Sequence, residues 1–120
     1  MAVRAIRGAT QVETNDRDAI LAGSAELVLA VLERNELVPD DLISAIFTVT
    51  PDLTADFPAY AARKAGLTDV PLLCSTEIPV PGAMPRVVRM LAHVETAKER
   101  SDIRHVYLHG AAALRTDLPQ

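Results

Sequence analysis

Apolar residues recur along the chain with two different periods, and each period predicts one type of element. Residues 3–13 alternate early and carry small and β-branched side chains, which predicts a first strand. Residues 16–34 have helical spacing, with Thr14 or Asn15 as the candidate N-cap. This helix is expected to cover one face of a sheet with an apolar stripe formed by Ile20, Leu21, Leu27, Val28, Val31 and Leu32.

Residues 43–50 form the most clearly alternating stretch of the sequence, and Pro51 ends it. Alternation predicts a strand that turns one apolar face to the core, made of Ile43, Ala45, Phe47 and Val49. A short helix follows, with Pro58 in its first turn and Gly66 at its end. Residues 70–77 then predict a second, buried strand.

Residues 86–96 fit two different elements. Helical spacing joins Val87, Met90, Leu91 and Val94, but the same segment also alternates, and its β-branched residues favour a strand. Residues 104–108 predict the last strand. The whole pattern predicts one domain over residues 1–120, with an α+β fold in which a mixed β-sheet packs against one long helix.

Composition and charge exclude several classes of function. Net charge is −4 and aromatic residues make up only 3% of the chain, so we expect no nucleic-acid partner and no anionic membrane partner. The longest apolar run, residues 27–32, is too short to span a bilayer. A single cysteine and an N-terminus without an apolar signal segment predict a cytoplasmic protein.

The stretch of residues 72–92 carries the main conflict between pattern and chemistry. It is mostly apolar, so we expect it in or against the core, yet it contains Cys74, Glu77 and Arg89. Charged groups in apolar segments are costly unless they are paired or used, and such conflicts are typical of functional sites. Cys74 is either a buried inert thiol or a nucleophile that a histidine approaches in space.

Several cations could form a second part of such a site. Alternation places Arg7 on the side of Val3 and Ala5, which is unusual on an apolar face, although an arginine at an edge can extend to water. Together with Arg63, Arg89, Arg115, Tyr107 and Glu77, it would suit a small dianion if these side chains converge. The three histidines lack ligand partners at suitable spacing, so neither a metal nor another cofactor is expected.

Four separated blocks of the sequence, taken in order, resemble the AroH-type monofunctional chorismate mutases. The resemblance covers nearly the whole chain, and agreement of four blocks at once is specific. The blocks are residues 4–10 (RAIRGAT), residues 48–63 with TVTPDL and FPA, residues 70–77 with VPLLC and Glu77, and residues 104–118 with RHVYL and LRTDL.

This resemblance implies a homotrimeric pseudo-α/β-barrel with ferredoxin-like topology and active sites at the subunit interfaces. It also implies an isomerase that rearranges chorismate to prephenate in phenylalanine and tyrosine biosynthesis. The step is a unimolecular pericyclic rearrangement without a covalent intermediate or cofactor. A non-catalytic regulatory trimer that binds a small carboxylate on the same fold is one alternative, and an unrelated hydrolase that uses Cys74 is another.

The resemblance also implies roles for individual residues. Arg89 would lie beside the ether oxygen of the breaking bond, Arg7 and Tyr107 would hold a substrate carboxylate, and Glu77 and Cys74 would lie on the side of the ring hydroxyl. A neighbouring subunit would contribute a wall and a second clamp, and further residues would line or bind the substrate. These substrate-binding residues are Phe57, Ala59, Arg63, Leu72, Leu73, Leu114 and Arg115.

Overall fold

Residues 1–114, the part of the chain that the computed structural model describes, contain five strands and two α-helices. Short 3-10 turns connect some of these elements, and Arg115 lies outside the described residues. In chain order the elements are β1 (Ala2–Gln11), α1 (Arg17–Arg34), β2 (Leu42–Val49), α2 (Pro58–Lys64), β3 (Leu72–Thr76), β4 (Val87–Thr96) and β5 (Val106–Leu108).

All five strands belong to one mixed sheet in the order β3-β2-β4-β1-β5. β4 lies in the middle and runs antiparallel to both β1 and β2, whereas β3 is parallel to β2 and β5 is parallel to β1. β1, α1 and β2 therefore form a split β–α–β unit with β4 inserted, which is the ferredoxin-like part of the topology. The α+β fold with a mixed sheet is confirmed, and the short α2 joins α1 in covering the sheet.

The ambiguous segment of residues 86–96 is a strand because both of its edges are paired. β4 pairs with β1 along its whole length and with β2 from Val88 to Val94. Its alternate residues Val88, Met90, Ala92 and Val94 are buried in the main core. The opposite face of β4 carries Arg89, Leu91 and His93, all half-buried.

The long helix α1 begins at a different residue from the predicted one. Asp16 is its N-cap, and the carboxylate accepts a hydrogen bond from Ala19 N–H at 2.8 Å. The Thr14 hydroxyl donates to the same carboxylate at 2.6 Å, and these two bonds hold the pKa of Asp16 below its ordinary value. The predicted stripe is largely confirmed, because Ile20, Leu27 and neighbouring positions of α1 are fully buried.

Three local expectations about burial are wrong. β3 is an edge strand rather than a buried one, and Leu73 is 62% exposed. A register shift between Leu42 and Ser44 turns Ile43 outward, so the predicted apolar face of β2 begins at Ala45. In β1 the core face is that of Ile6, and the side of Arg7 is open in the single chain.

Asn35 ties the end of α1 to the segment before β5, and its loss is expected to be costly. The side chain is fully buried; Nδ2 donates to the carbonyls of Val31 and Arg104 at 2.9 Å each, and Oδ1 accepts from Arg104 N–H at 2.8 Å. Asn35→Ala leaves these backbone groups without the side chain, so we expect about 2–4 kcal/mol lower unfolding free energy in urea. Asn15→Ala is the matched control, because Asn15 also makes three hydrogen bonds but in an exposed setting. Equal losses from the two variants would contradict a special role for Asn35.

Candidate active site

One row of paired residues crosses the sheet on the face opposite α1. The register pairs Thr48 of β2 with Arg89 of β4, Arg89 with Ala9 of β1, and Ala9 with Tyr107 of β5. Directly paired residues project from the same face of a sheet. Arg89 and Tyr107 are therefore separated on this face by the small side chain of Ala9, which is fully buried.

A cavity of about 210 Å³ lies on this row and the next one. Arg7, paired with Leu91 one row away, enters it from the same face. The cavity thus brings together three predicted site residues, Arg7, Arg89 and Tyr107, and adds Thr48. Two guanidinium groups and a phenol around one small space favour an anionic ligand.

Glu77 reaches Arg89 from the end of β3. Its backbone N–H donates to the carbonyl of Val49 at 2.8 Å, which continues the β2–β3 ladder by one residue. One carboxylate oxygen, Oε1, lies 3.5 Å from Arg89 Nε, and the other, Oε2, accepts a hydrogen bond from the Thr48 hydroxyl. The Arg89 and Glu77 side chains are 36% and 27% exposed, so the pair is only partly accessible to water.

The Arg89–Glu77 pair is close without being a hydrogen bond. Arg89 Nε is buried and has no hydrogen-bond partner among residues 1–114, although Glu77 Oε1 lies at 3.5 Å. A buried donor without a partner is costly, more so when it belongs to a charged group. Nε is therefore an unsatisfied buried donor, whereas the side chain as a whole is partly exposed and lines the cavity.

The backbone position of Arg7 is fixed by a histidine. Arg7 N–H donates to His105 Nδ1 at 3.0 Å, so this ring nitrogen carries no proton in the hydrogen bond. His105 immediately precedes β5, and the bond extends the parallel β1–β5 pairing by one position. The sequence placed His105 within the predicted last strand and weighed it as a metal ligand, but β5 begins one residue later, at Val106.

Cys74 does not join Glu77 within one chain. Its side chain packs against the main core on the helix-covered side and lines a separate cavity of about 400 Å³ with Phe57 and Pro58. In an extended strand, residues three apart point to opposite faces, which separates Cys74 from Glu77. Within one chain the two side chains therefore lie on different faces, and their common place beside the ring hydroxyl stays a prediction.

The other predicted substrate-binding residues divide between the two faces of the sheet. Ala59 is buried in α2, Leu72 packs against the main core, and Arg63 is exposed on α2. Leu73 pairs with Ile46 on the open face, whereas Leu114 packs against the cluster that contains Ala9 and Tyr107. Arg115 lies outside the described residues.

Thr48 is a polar cavity residue that sequence reasoning did not select. Alternation had placed it on the face of Ile46, away from Phe47, and a hydroxyl on a half-buried strand face was the signal. Its place in the site depends on the β2–β4 register, which sets it beside Arg89, and on the hydrogen bond that its hydroxyl donates to Glu77. Neither is visible in a one-dimensional pattern.

Among residues 1–114, no group of three or more His, Cys, Asp or Glu side chains is placed to hold a metal ion. No helix in the same range is long and apolar enough to cross a membrane.

Together, the fold and the site define a small α+β protein with a cavity lined by two arginines and a tyrosine on the open face of its sheet. A family model described as chorismate mutase type I matches residues 3–118. The chain belongs to this family of isomerases.

Relatives with known names resemble the chain along nearly all of its length. Chorismate mutase AroH of Thermus thermophilus is 50% identical over 117 residues, which cover 97% of this chain and 96% of the relative. Chorismate mutase AroH of Bacillus subtilis (strain 168) is 39% identical over 119 residues, covering 98% and 94%. The solved structure of a chorismate mutase from Clostridium thermocellum Cth-682 superposes with a TM-score of 0.90 at 50% identity, covering 92% of this chain and 98% of that one.

Proposed function

We propose that this protein converts chorismate to prephenate by a unimolecular rearrangement in aromatic amino acid biosynthesis. The observation that carries the proposal is the convergence of Arg7, Arg89 and Tyr107 in one cavity beside Glu77, in a member of the chorismate mutase family. In this reaction a C–O bond breaks while a C–C bond forms within one molecule. The step requires a compact substrate conformer and stabilisation of separating charge, not a nucleophile.

Arg89 provides the main electrostatic contribution in this proposal. Negative charge develops on the ether oxygen as the C–O bond breaks, and a fixed guanidinium donor stabilises that charge more than it stabilises the substrate. β4 is paired on both edges, so the backbone that carries Arg89 is held in place before the substrate arrives. The Arg89 side chain lines the cavity and is 36% exposed, so its guanidinium is accessible to an incoming oxygen.

The remaining residues of the cavity orient the substrate. Arg7 and the Tyr107 hydroxyl hold one carboxylate, which fixes the substrate in its reactive shape and lowers the entropic part of the barrier. Glu77 faces the ring, where its carboxylate favours the positive charge that develops on the ring fragment and accepts from the ring hydroxyl. Leu114 packs against the cluster that contains Tyr107 and would line the site from that side.

We also propose that three copies of the chain assemble and share their sites. The open face of the sheet carries a row of Arg7, Leu91, Ile46 and Leu73, and exposed apolar residues continue beyond it at Ile78 and Val80. A partly apolar sheet face without a covering layer is stable when a second copy covers it. A cyclic trimer provides the same cover for every copy.

A site shared between two copies would bring together the cavity residues on the open face of one chain and the residues on the helix-covered side of its neighbour. Phe57 is 67% exposed and lies with Cys74 on the helix-covered side, and Arg63 is exposed on α2. In the trimer these residues would complete the cavity of a neighbouring copy, with Phe57 as an apolar wall and Arg63 as the clamp for the second carboxylate. Cys74, Ala59 and Leu72 would also be contributed by the neighbouring copy. Leu73 would add to the apolar wall of the cavity, and Arg115 would add a further positive charge.

The experiment that tests the function is the loss of chorismate absorbance on addition of purified protein, with Arg89→Ala measured beside the wild type. We expect rapid loss with the wild type, formation of prephenate, and almost no loss with the variant. A folded wild-type protein that leaves chorismate unchanged would overturn the proposal and favour the carboxylate-binding alternative.

A further inference from the structure

Thr48 makes a contact that the proposed reaction does not itself require. Its side chain lies on the wall of the cavity with Arg7, Arg89 and Tyr107, and its hydroxyl donates to Glu77 Oε2. A hydroxyl has one proton, so the only donor of the Thr48 side chain is occupied by this hydrogen bond to the carboxylate. The other carboxylate oxygen is 3.5 Å from Arg89 Nε.

The geometry of the three residues leaves a favourable interaction unmade. A carboxylate next to an arginine ordinarily closes to about 2.7–2.9 Å, often with two parallel hydrogen bonds. Here Arg89 Nε is buried and has no hydrogen-bond partner among the described residues, even though Glu77 is its neighbour. Something must hold the carboxylate back, and two bonds do so: Glu77 N–H to the Val49 carbonyl, and the Thr48 hydroxyl to Oε2.

We propose that Thr48 is a positioning residue that keeps Glu77 from closing onto Arg89, so that the partly exposed guanidinium stays available to the substrate. The inference rests on the proposed function for its kinetic consequence, but the placement of Glu77 is a property of the free protein. Without the hydroxyl, Glu77 moves onto Arg89 and forms a closed ion pair that substrate must break. Thr48 thus acts through Glu77 and is not itself a catalytic residue.

The kinetic test compares Thr48→Val with Thr48→Ser. Valine keeps the shape and strand preference of threonine and removes only the hydroxyl, so we expect kcat/KM to fall about ten- to a hundredfold, mostly through a higher KM. Serine keeps the hydroxyl and should stay within about threefold of the wild type. Ser44→Ala removes a hydroxyl from the same face of β2, away from Glu77, and should change kcat/KM by less than about twofold.

A double-mutant cycle separates positioning from ordinary packing. In a Glu77→Gln background the neutral amide has no charge to draw it onto Arg89, so Thr48→Val should have little further effect on kcat/KM. If Thr48 acts only by packing β2, the valine variant will lose the same factor in both backgrounds. Equal losses would overturn the proposal.

A structural measurement makes the outcome independent of turnover. In crystal structures of the free proteins, the Glu77 Oε1–Arg89 Nε distance should contract from 3.5 Å in the wild type to about 2.8 Å in Thr48→Val and remain long in Thr48→Ser. An unchanged distance in Thr48→Val would refute the proposal, whatever the activity. A contracted distance in a protein that does not convert chorismate would uphold the positioning role and overturn the proposed function alone.

Discussion

Replacing the Arg89 guanidinium by the neutral urea group of citrulline is expected to lower kcat by about 10²–10³-fold or more. Citrulline has nearly the same shape and still offers N–H donors, but it carries no charge. The loss would therefore measure how much the fixed positive charge stabilises the negative charge that develops on the ether oxygen. The protein can be assembled by ligation of a synthetic segment, and chorismate loss gives kcat and KM separately.

The Arg89→Lys variant tests geometry while it keeps the charge. An ammonium group is a compact point charge and lacks the planar fork of donors, so we expect a loss of similar size with the fold retained. Arg34→Lys is the matched control, because Arg34 is exposed in the last turn of α1. Near-normal turnover by the citrulline protein would refute electrostatic stabilisation by Arg89.

Mixing two inactive variants is expected to restore about a quarter of the wild-type activity per site, if sites are shared in a cyclic trimer. Arg89→Ala damages the half of the site built on β4, and Arg63→Ala damages the half lent from α2. In randomly mixed trimers, a site is intact when its Arg89 half comes from one variant and its Arg63 half from the other. The measurement is turnover after the two variants are unfolded and refolded together.

The control mixture contains two lesions in the same half of the site. Arg89→Ala and Arg7→Ala both affect the cavity of one chain, so every site in their mixed trimers keeps one lesion. This mixture should show no recovery. Equal activities of the two mixtures, or a monomeric mass for the active wild type in light scattering, would refute the shared site.

Local pattern predicted the elements because most of them bury one face. The helical stripe of α1 and the alternation of β4 are signals that the core itself imposes, since Leu27 and Val94 must both reach it. The edge position of β3 was missed because an apolar composition does not reveal whether a strand has one neighbour or two. Leu73 and Ile78 are exposed in one chain, and the sequence was interpreted as if one chain had to bury them.

The candidate site was predictable where chemistry conflicted with packing. Arg89 in an apolar strand has a cost that scaffold alone does not explain, and it does lie in the cavity with Arg7 and Tyr107. The contact of Thr48 with Glu77 was not predictable because it depends on strand register, which no local spacing encodes. The strand period alone predicts that Cys74 and Glu77 point to opposite faces of one chain. The family resemblance instead implied that both lie on the side of the ring hydroxyl.

The order of strands also decides which part of the site is lost first on heating. Arg89 lies on the middle strand, which opens only when the whole sheet does, whereas Glu77 follows edge strand β3 and Tyr107 lies on edge strand β5. Edges open locally at much lower free energy than the centre. Arg89, the proposed catalytic cation, thus lies in the most persistent part of the sheet, and Glu77 and Tyr107 lie at its edges. We therefore expect turnover to be lost on heating, by local opening of the edges, before the bulk of the protein unfolds.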